Sequence, residues 1–119
     1  MKSIHELHEQ CCDMFEKIEH YRPTPSEIND GQCIDWAVYV SEHLADANIY
    51  CQIWRYDCWH LFIKIEDRFF DAECLDGVID HMDMPYFQRL SKERITISLD
   101  SINQHWLSKR YEPNSITRD

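Results

Sequence analysis

The sequence predicts an α+β domain: a central cysteine-bearing helix packed on an antiparallel sheet of three or four strands, flanked by an N-terminal and a C-terminal helix. Two observations predict it. Apolar residues recur at helical spacing over 3–21 and again over 33–46. Residues 49–73 then alternate, rich in aromatic and β-branched side chains and broken by short polar turns. Helices first and strands afterwards is the α+β order, and 119 residues suffice for one domain with one core.

Composition narrows the function. Twelve basic against twenty-two acidic residues give a net charge of −10. That opposes non-specific nucleic-acid binding and adsorption to anionic membranes, both of which need positive patches. A hydrophobic content of 44% is that of a globular chain. No run of 18 apolar residues occurs, so no membrane span is expected. The start, Met1-Lys2-Ser3-Ile4-His5-Glu6, lacks the apolar stretch of a secretory leader, so the expected compartment is the cytoplasm. The six cysteines, Cys11, Cys12, Cys33, Cys51, Cys58 and Cys74, contain no CxxC pair and are expected to be free thiols.

Taken in order, Ser3 and Glu6 have the spacing of a capping box, and Ile4, Leu7, Cys11, Met14, Phe15 and Ile18 form one helical stripe. Arg22-Pro23-Thr24-Pro25 ends that helix, and Ser26–Gly31 reads as a loop. The central helix follows, with Asn29 or Asp30 as its cap and Cys33, Ala37, Val40 and Leu44 on its buried stripe. Strands are expected at 49–56, 59–65 and 68–73, the last two joined by a Glu66-Asp67 turn. Pro85 can open a short helix over 85–93. Residues 95–99 alternate as a strand, 101–109 read as a helix burying Ile102 and Trp106, and the tail from Glu112 is expected to fray. His5, His8, His20, His43 and His105 fall on helical faces that read as surface.

The chemistry lies in what the hairpin brings toward Cys33. A cysteine in a first helical turn meets unpaired amides and the positive end of the helix dipole, which favour the nucleophilic thiolate. A two-residue turn at Glu66-Asp67 sets Ile65 opposite Arg68, and counting back puts Phe62 opposite Asp71. Strand alternation then places His60 and Asp71 on one side of the sheet, close enough to bond. Cys33, His60 and Asp71 are thus a nucleophile, a base and an orienter for that base. An oxyanion formed on attack can be met by the Cys33 amide and a second donor, for which Gln32, Gln52 and Tyr50 are candidates. Trp36 and Trp59 are candidate pocket walls.

Gly31-x-Cys33-x-x-Trp36-Ala37 on a helix, then Trp59-His60-x-Phe62, then Phe69-Phe70-Asp71-Ala72, resembles the papain-like superfamily, and within it the transglutaminase-like and NlpC/P60-like branches. The resemblance covers residues 31–77. It implies a fold in which a Cys-bearing helix meets a His-bearing strand and its Asp-bearing neighbour. It also implies hydrolysis or acyl transfer at amide and ester carbonyls, with no cofactor and no metal. The expected substrate is a peptide or another amide-containing molecule. The competing expectation is a non-catalytic acidic accessory or inhibitor protein that occupies a basic protein partner. A metal site built on Cys58 and His60 would have to recruit from His81, Asp76 and Asp83 to reach the four ligands of a closed zinc site, and is the weaker reading.

Overall fold

Helix α1 (Ile4–Glu19) starts as the capping box requires: the Ser3 hydroxyl accepts from the Glu6 amide at 3.2 Å, and the Glu6 carboxylate accepts from the Ser3 amide at 2.9 Å. The structure, a computed structural model, describes residues 3–56 and 60–92. Arg22 folds back beyond the end of α1 and donates to Glu9, Asp13 and Glu16. The inner face of α1 buries Leu7, Cys11 and Phe15 against Ala37, Val40 and Leu44. Ile18, expected on that stripe, is 67% exposed instead, because it lies in the last turn and only rims the α1–α3 groove.

The expected loop at 26–31 is helical. Thr24 and Glu27 form a second capping box with Pro25 at the first position, opening the one-turn helix α2 (Pro25–Glu27). A π-turn, Ile28–Gln32, passes directly into α3 (Cys33–Asp46). Neither Asn29 nor Asp30 caps anything: Asn29 is buried and Asp30 is exposed.

The strands are β1 (Gln52–Tyr56), β2 (His60–Ile65), β3 (Arg68–Asp71) and β4 (Cys74–Val78), in the order β1-β2-β3-β4 with every neighbouring pair antiparallel. Ile65 pairs with Arg68, as the two-residue turn predicts. Glu66 takes φ 55° in that turn, in the left-handed region where glycine is favoured. The third strand ends at Asp71, two residues early, and β4 follows a turn at Ala72-Glu73. Gly77 makes β4 possible: at φ 80° it passes the Phe70 ring so closely that a Cβ would lie 2.6 Å from it.

Strand alternation sorts the core into two. Leu61 and Ile63 face α1 and α3. Phe62 and Phe69 face the other way, toward Met84 and Phe87. Phe87 belongs to helix α4 (Pro85–Lys92), and Met84 links that helix to a 3₁₀ turn (His81–Asp83); together they cover the second face of the sheet. The expected strand at 95–99, the helix at 101–109 and the frayed tail lie outside the described residues. Among those described, no helix is long and apolar enough to cross a membrane.

His8, expected at the surface, is 5% exposed. The indole N–H of Trp36 donates to its Nδ1 at 3.1 Å, and Nε2 lies 3.5 Å from the Cys12 sulfur. Indole is only a donor, so Nδ1 must be bare and the proton must sit on Nε2. Burial holds the pKa of this ring below the ordinary value, against an upward pull from Glu9.

Two predictions follow from this architecture. Gly77→Ala lowers unfolding free energy by about 2 kcal/mol, from left-handed backbone strain and displacement of the Phe70 ring. Gly31→Ala, with nothing within 4 Å of the added methyl, costs nothing in the same denaturant titration. For His8, whose folded pKa is depressed, the unfolded chain binds the extra proton first. Stability is therefore intact above the unfolded value and falls as pH drops below about 6.5. Thermal melts from pH 7.5 to 5 should show a shallower loss in His8→Gln, which keeps an acceptor for Trp36.

Candidate active site

The structure brings Cys33, His60 and Asp71 together at the rim of the sheet. His60 opens β2 and Asp71 closes β3, on the same side. His60 Nε2 and Asp71 Oδ2 are 2.9 Å apart, and both side chains are fully buried. The second Asp71 oxygen, Oδ1, accepts from the Glu73 amide at 2.9 Å. With Nε2 given to the carboxylate, Nδ1 is the remaining ring nitrogen; it is buried and has no close nitrogen or oxygen partner.

Cys33 comes to that ring from the opposite face of the sheet. Its sulfur reaches across the rim beside the start of β2, where the Leu61 amide donates to it at 3.5 Å. The β2–β3 pairing runs only over Ile63–Ile65, so it leaves the first residues of β2 clear of it. Cys33 keeps 9% of its surface open, whereas His60 and Asp71 keep none. Of the three residues, Cys33 alone retains exposed surface.

The electrostatics follow from these contacts. Burial pushes the Cys33 thiol up, but His60, the Leu61 amide and the residue's own amide outweigh it, and the thiol lies below its ordinary pKa. Burial pushes His60 down, but the hydrogen bond to Asp71 and the interaction with Cys33 outweigh that, and the ring lies above its ordinary pKa. Both shifts favour the same state, a thiolate beside an imidazolium. Elsewhere burial does the reverse: Cys11 and Cys51 are pushed up to about 12, Cys74 to about 11, and Cys12 upward. All five described cysteines are free.

No family model, no curated protein and no solved structure matches the chain. The chemistry is therefore read from the side chains themselves.

Several expected participants are elsewhere. Gln32 donates to Glu19 at 3.2 Å, toward α1. Gln52 pairs with Lys64 and accepts from Trp54, at the opposite end of the β1–β2 hairpin from the Tyr56–His60 pair. Tyr50 is 63% exposed at that same far end. Gln32 is turned toward Glu19 and the other two lie at the far end of the hairpin, so the contacts they make bring none of the three to the Cys33 sulfur. The first turn of α3 is not an isolated helix start either, because the π-helical segment Ile28–Gln32 runs straight into Cys33. Trp36 is 1% exposed between α1 and α3 and is core, not pocket wall. Trp59 and Cys58 lie outside the described residues. His81 is buried edge-on against Phe69 and Phe87, and Asp76 is bonded to His5.

The sequence reading missed what surrounds His60. Tyr86 of α4 stacks on the ring at 4.0 Å and 21°, and Phe62 stacks at 5.5 Å and 21°. Phe87 meets it edge-on at 6.0 Å. Pro85 signalled the helix, but nothing local signals that this helix lands on His60.

The thiols should therefore separate by reactivity. With limiting iodoacetamide at pH 6, Cys33 is alkylated ahead of Cys11, Cys12, Cys51 and Cys74, and His60→Ala removes that lead, as peptide mapping would read out. Equal labelling of these five residues in the wild type would contradict the ion-pair description.

Proposed function

We propose that the protein is a thiol-dependent hydrolase or acyltransferase acting on an amide or ester carbonyl, with Cys33 as nucleophile, His60 as general acid and base, and Asp71 as the orienter. The observation that carries this is the buried His60–Asp71 pair at 2.9 Å beside a thiol whose pKa is lowered despite burial. A structural histidine has no need of an adjacent cysteine that burial should have silenced.

In this mechanism the Cys33 thiolate attacks the carbonyl carbon and its electrons move to the oxygen. The imidazolium of His60 then gives its proton to the departing amine or alkoxide as the carbon–heteroatom bond breaks. An acyl-thioester on Cys33 and neutral His60 remain. Water or an acceptor amine attacks that thioester, His60 takes the proton, and the thiolate leaves. Asp71, holding Nε2, fixes the ring so that Nδ1 is the nitrogen that exchanges the proton, and it steadies the positive form. This reading is in keeping with the resemblance of residues 31–77 to the papain-like superfamily, in its transglutaminase-like and NlpC/P60-like branches. A peptide or amide substrate and a cytoplasmic setting go with the same reading.

The second reading, an acidic accessory protein for a basic partner, draws on the outer face of α1, where Glu6, Glu9, Asp13, Glu16 and Glu19 are all exposed. Part of that charge is already answered by Arg22, which lowers its attraction for a partner.

Intact-mass analysis after exposure to a panel of thioester, ester and amide electrophiles decides between the two. The enzyme reading expects an acyl adduct on Cys33, absent in Cys33→Ala and formed about 10²- to 10⁴-fold more slowly in His60→Ala and Asp71→Asn. No adduct with any electrophile in the wild type, at pH 6 to 8, would leave the accessory reading standing.

A further inference from the structure

We infer that Glu73 is a positioning residue of this site, one that ties together the three elements carrying Cys33, Asp71 and the aromatic cover of His60. The inference rests on the catalytic reading above and adds to it a residue that touches none of the reacting atoms.

Glu73 follows Asp71 by two residues and makes four polar contacts. Its backbone amide donates to Asp71 Oδ1 at 2.9 Å, which leaves Oδ2 for His60. Its carboxylate accepts from Asn29 Nδ2 at 2.9 Å, and Asn29 sits in the π-turn four residues before Cys33. The same carboxylate accepts from both terminal nitrogens of Arg89, at 2.8 and 2.9 Å. Arg89 lies one helical turn beyond Tyr86 on α4, with its guanidinium over the Tyr86 ring at 5.8 Å. One residue therefore restrains the approach of the sulfur, the rotation of the carboxylate and the seat of the ring stacked on His60.

A surface ion pair would do little of this, but the Glu73 side chain is only 15% exposed and is bridged in the two-pronged geometry that fixes direction as well as distance. The carboxylate is also the right group for the task. Its two oxygens offer about four acceptor sites for three donors. An amide in its place would turn an NH₂ toward a donor from Asn29 or Arg89 and break at least one contact. Burial pushes the Glu73 carboxyl up, yet Arg89 and Asn29 outweigh it and hold it ionised, and the charge of His60 pulls in the same direction. The node therefore carries a negative charge near the imidazolium.

The test is the pH profile of Cys33 alkylation by iodoacetamide, read by peptide mapping, in wild type, Glu73→Gln and Arg89→Gln, with melting curves recorded alongside. A residue that only stabilises the fold lowers the melting temperature and leaves the profile of the folded protein unchanged. A positioning residue moves the profile. The rate at pH 6 falls about tenfold in Glu73→Gln while the rate at pH 9.5, where the thiol is ionised regardless, stays within about twofold. Arg89→Gln, on the more exposed side of the pair, shifts the profile in the same direction by less, and it carries the test if Glu73→Gln does not fold. Unchanged profiles in the folded variants, against a wild type reactive at pH 6, overturn this inference alone. A wild type unreactive at pH 6 overturns the catalytic reading and this inference together.

Discussion

An imidazole and a carboxylate, both cut off from water, depend on each other at the centre of this molecule. Burying either group alone costs several kcal/mol, and only a directed hydrogen bond with further partners makes the pair tolerable. His60 and Asp71 meet that condition, with the Glu73 amide taking the other carboxylate oxygen. Much of the fold can be read as what this requires. The hairpin must hold its register, since a slip by one residue would send Asp71 to the other face. The second face of the sheet must be covered, which α4 does with Tyr86 and Phe87. The sulfur must come from the rim, because α3 lies on the opposite layer.

That rim position was the hardest feature to foresee. The sequence made the hairpin legible, because its register depends on a two-residue turn and a period of two, both local. It also made the capping of α1 legible, since Ser3 and Glu6 are three residues apart. Thr24 and Glu27 carry the same signal, but the flanking prolines mask it, and the helical approach to Cys33 looks like a loop in sequence. β4 was hidden by Asp76 and Gly77, residues that weaken a strand pattern but here suit an edge strand passing over Phe70. The partners of His60 from α4 and the pairing of His8 with Trp36 are long-range, and no local period encodes them.

Two of the oxyanion candidates lie away from Cys33 for a related reason. Gln52 and Tyr50 carry suitable donors and stand close to the strands in sequence. Along a strand, however, four residues amount to about 13 Å, so Gln52 and His60 sit at opposite ends of one hairpin. Glu73, by contrast, is only the last residue of the expected third strand, with nothing local to mark it. Its importance comes from converging donors on Asn29 and Arg89, 44 and 16 residues away along the chain.

The unequal exposure of the three central side chains has a kinetic consequence. His60 and Asp71 are sealed, and Cys33 is the one of the three that retains open surface. Under the proposed mechanism, the substrate and the later water or amine would share that one approach. An acceptor must then wait until the first fragment has gone. Such a site would release one product before admitting the second reactant, the double-displacement order that parallel-line kinetics reveal.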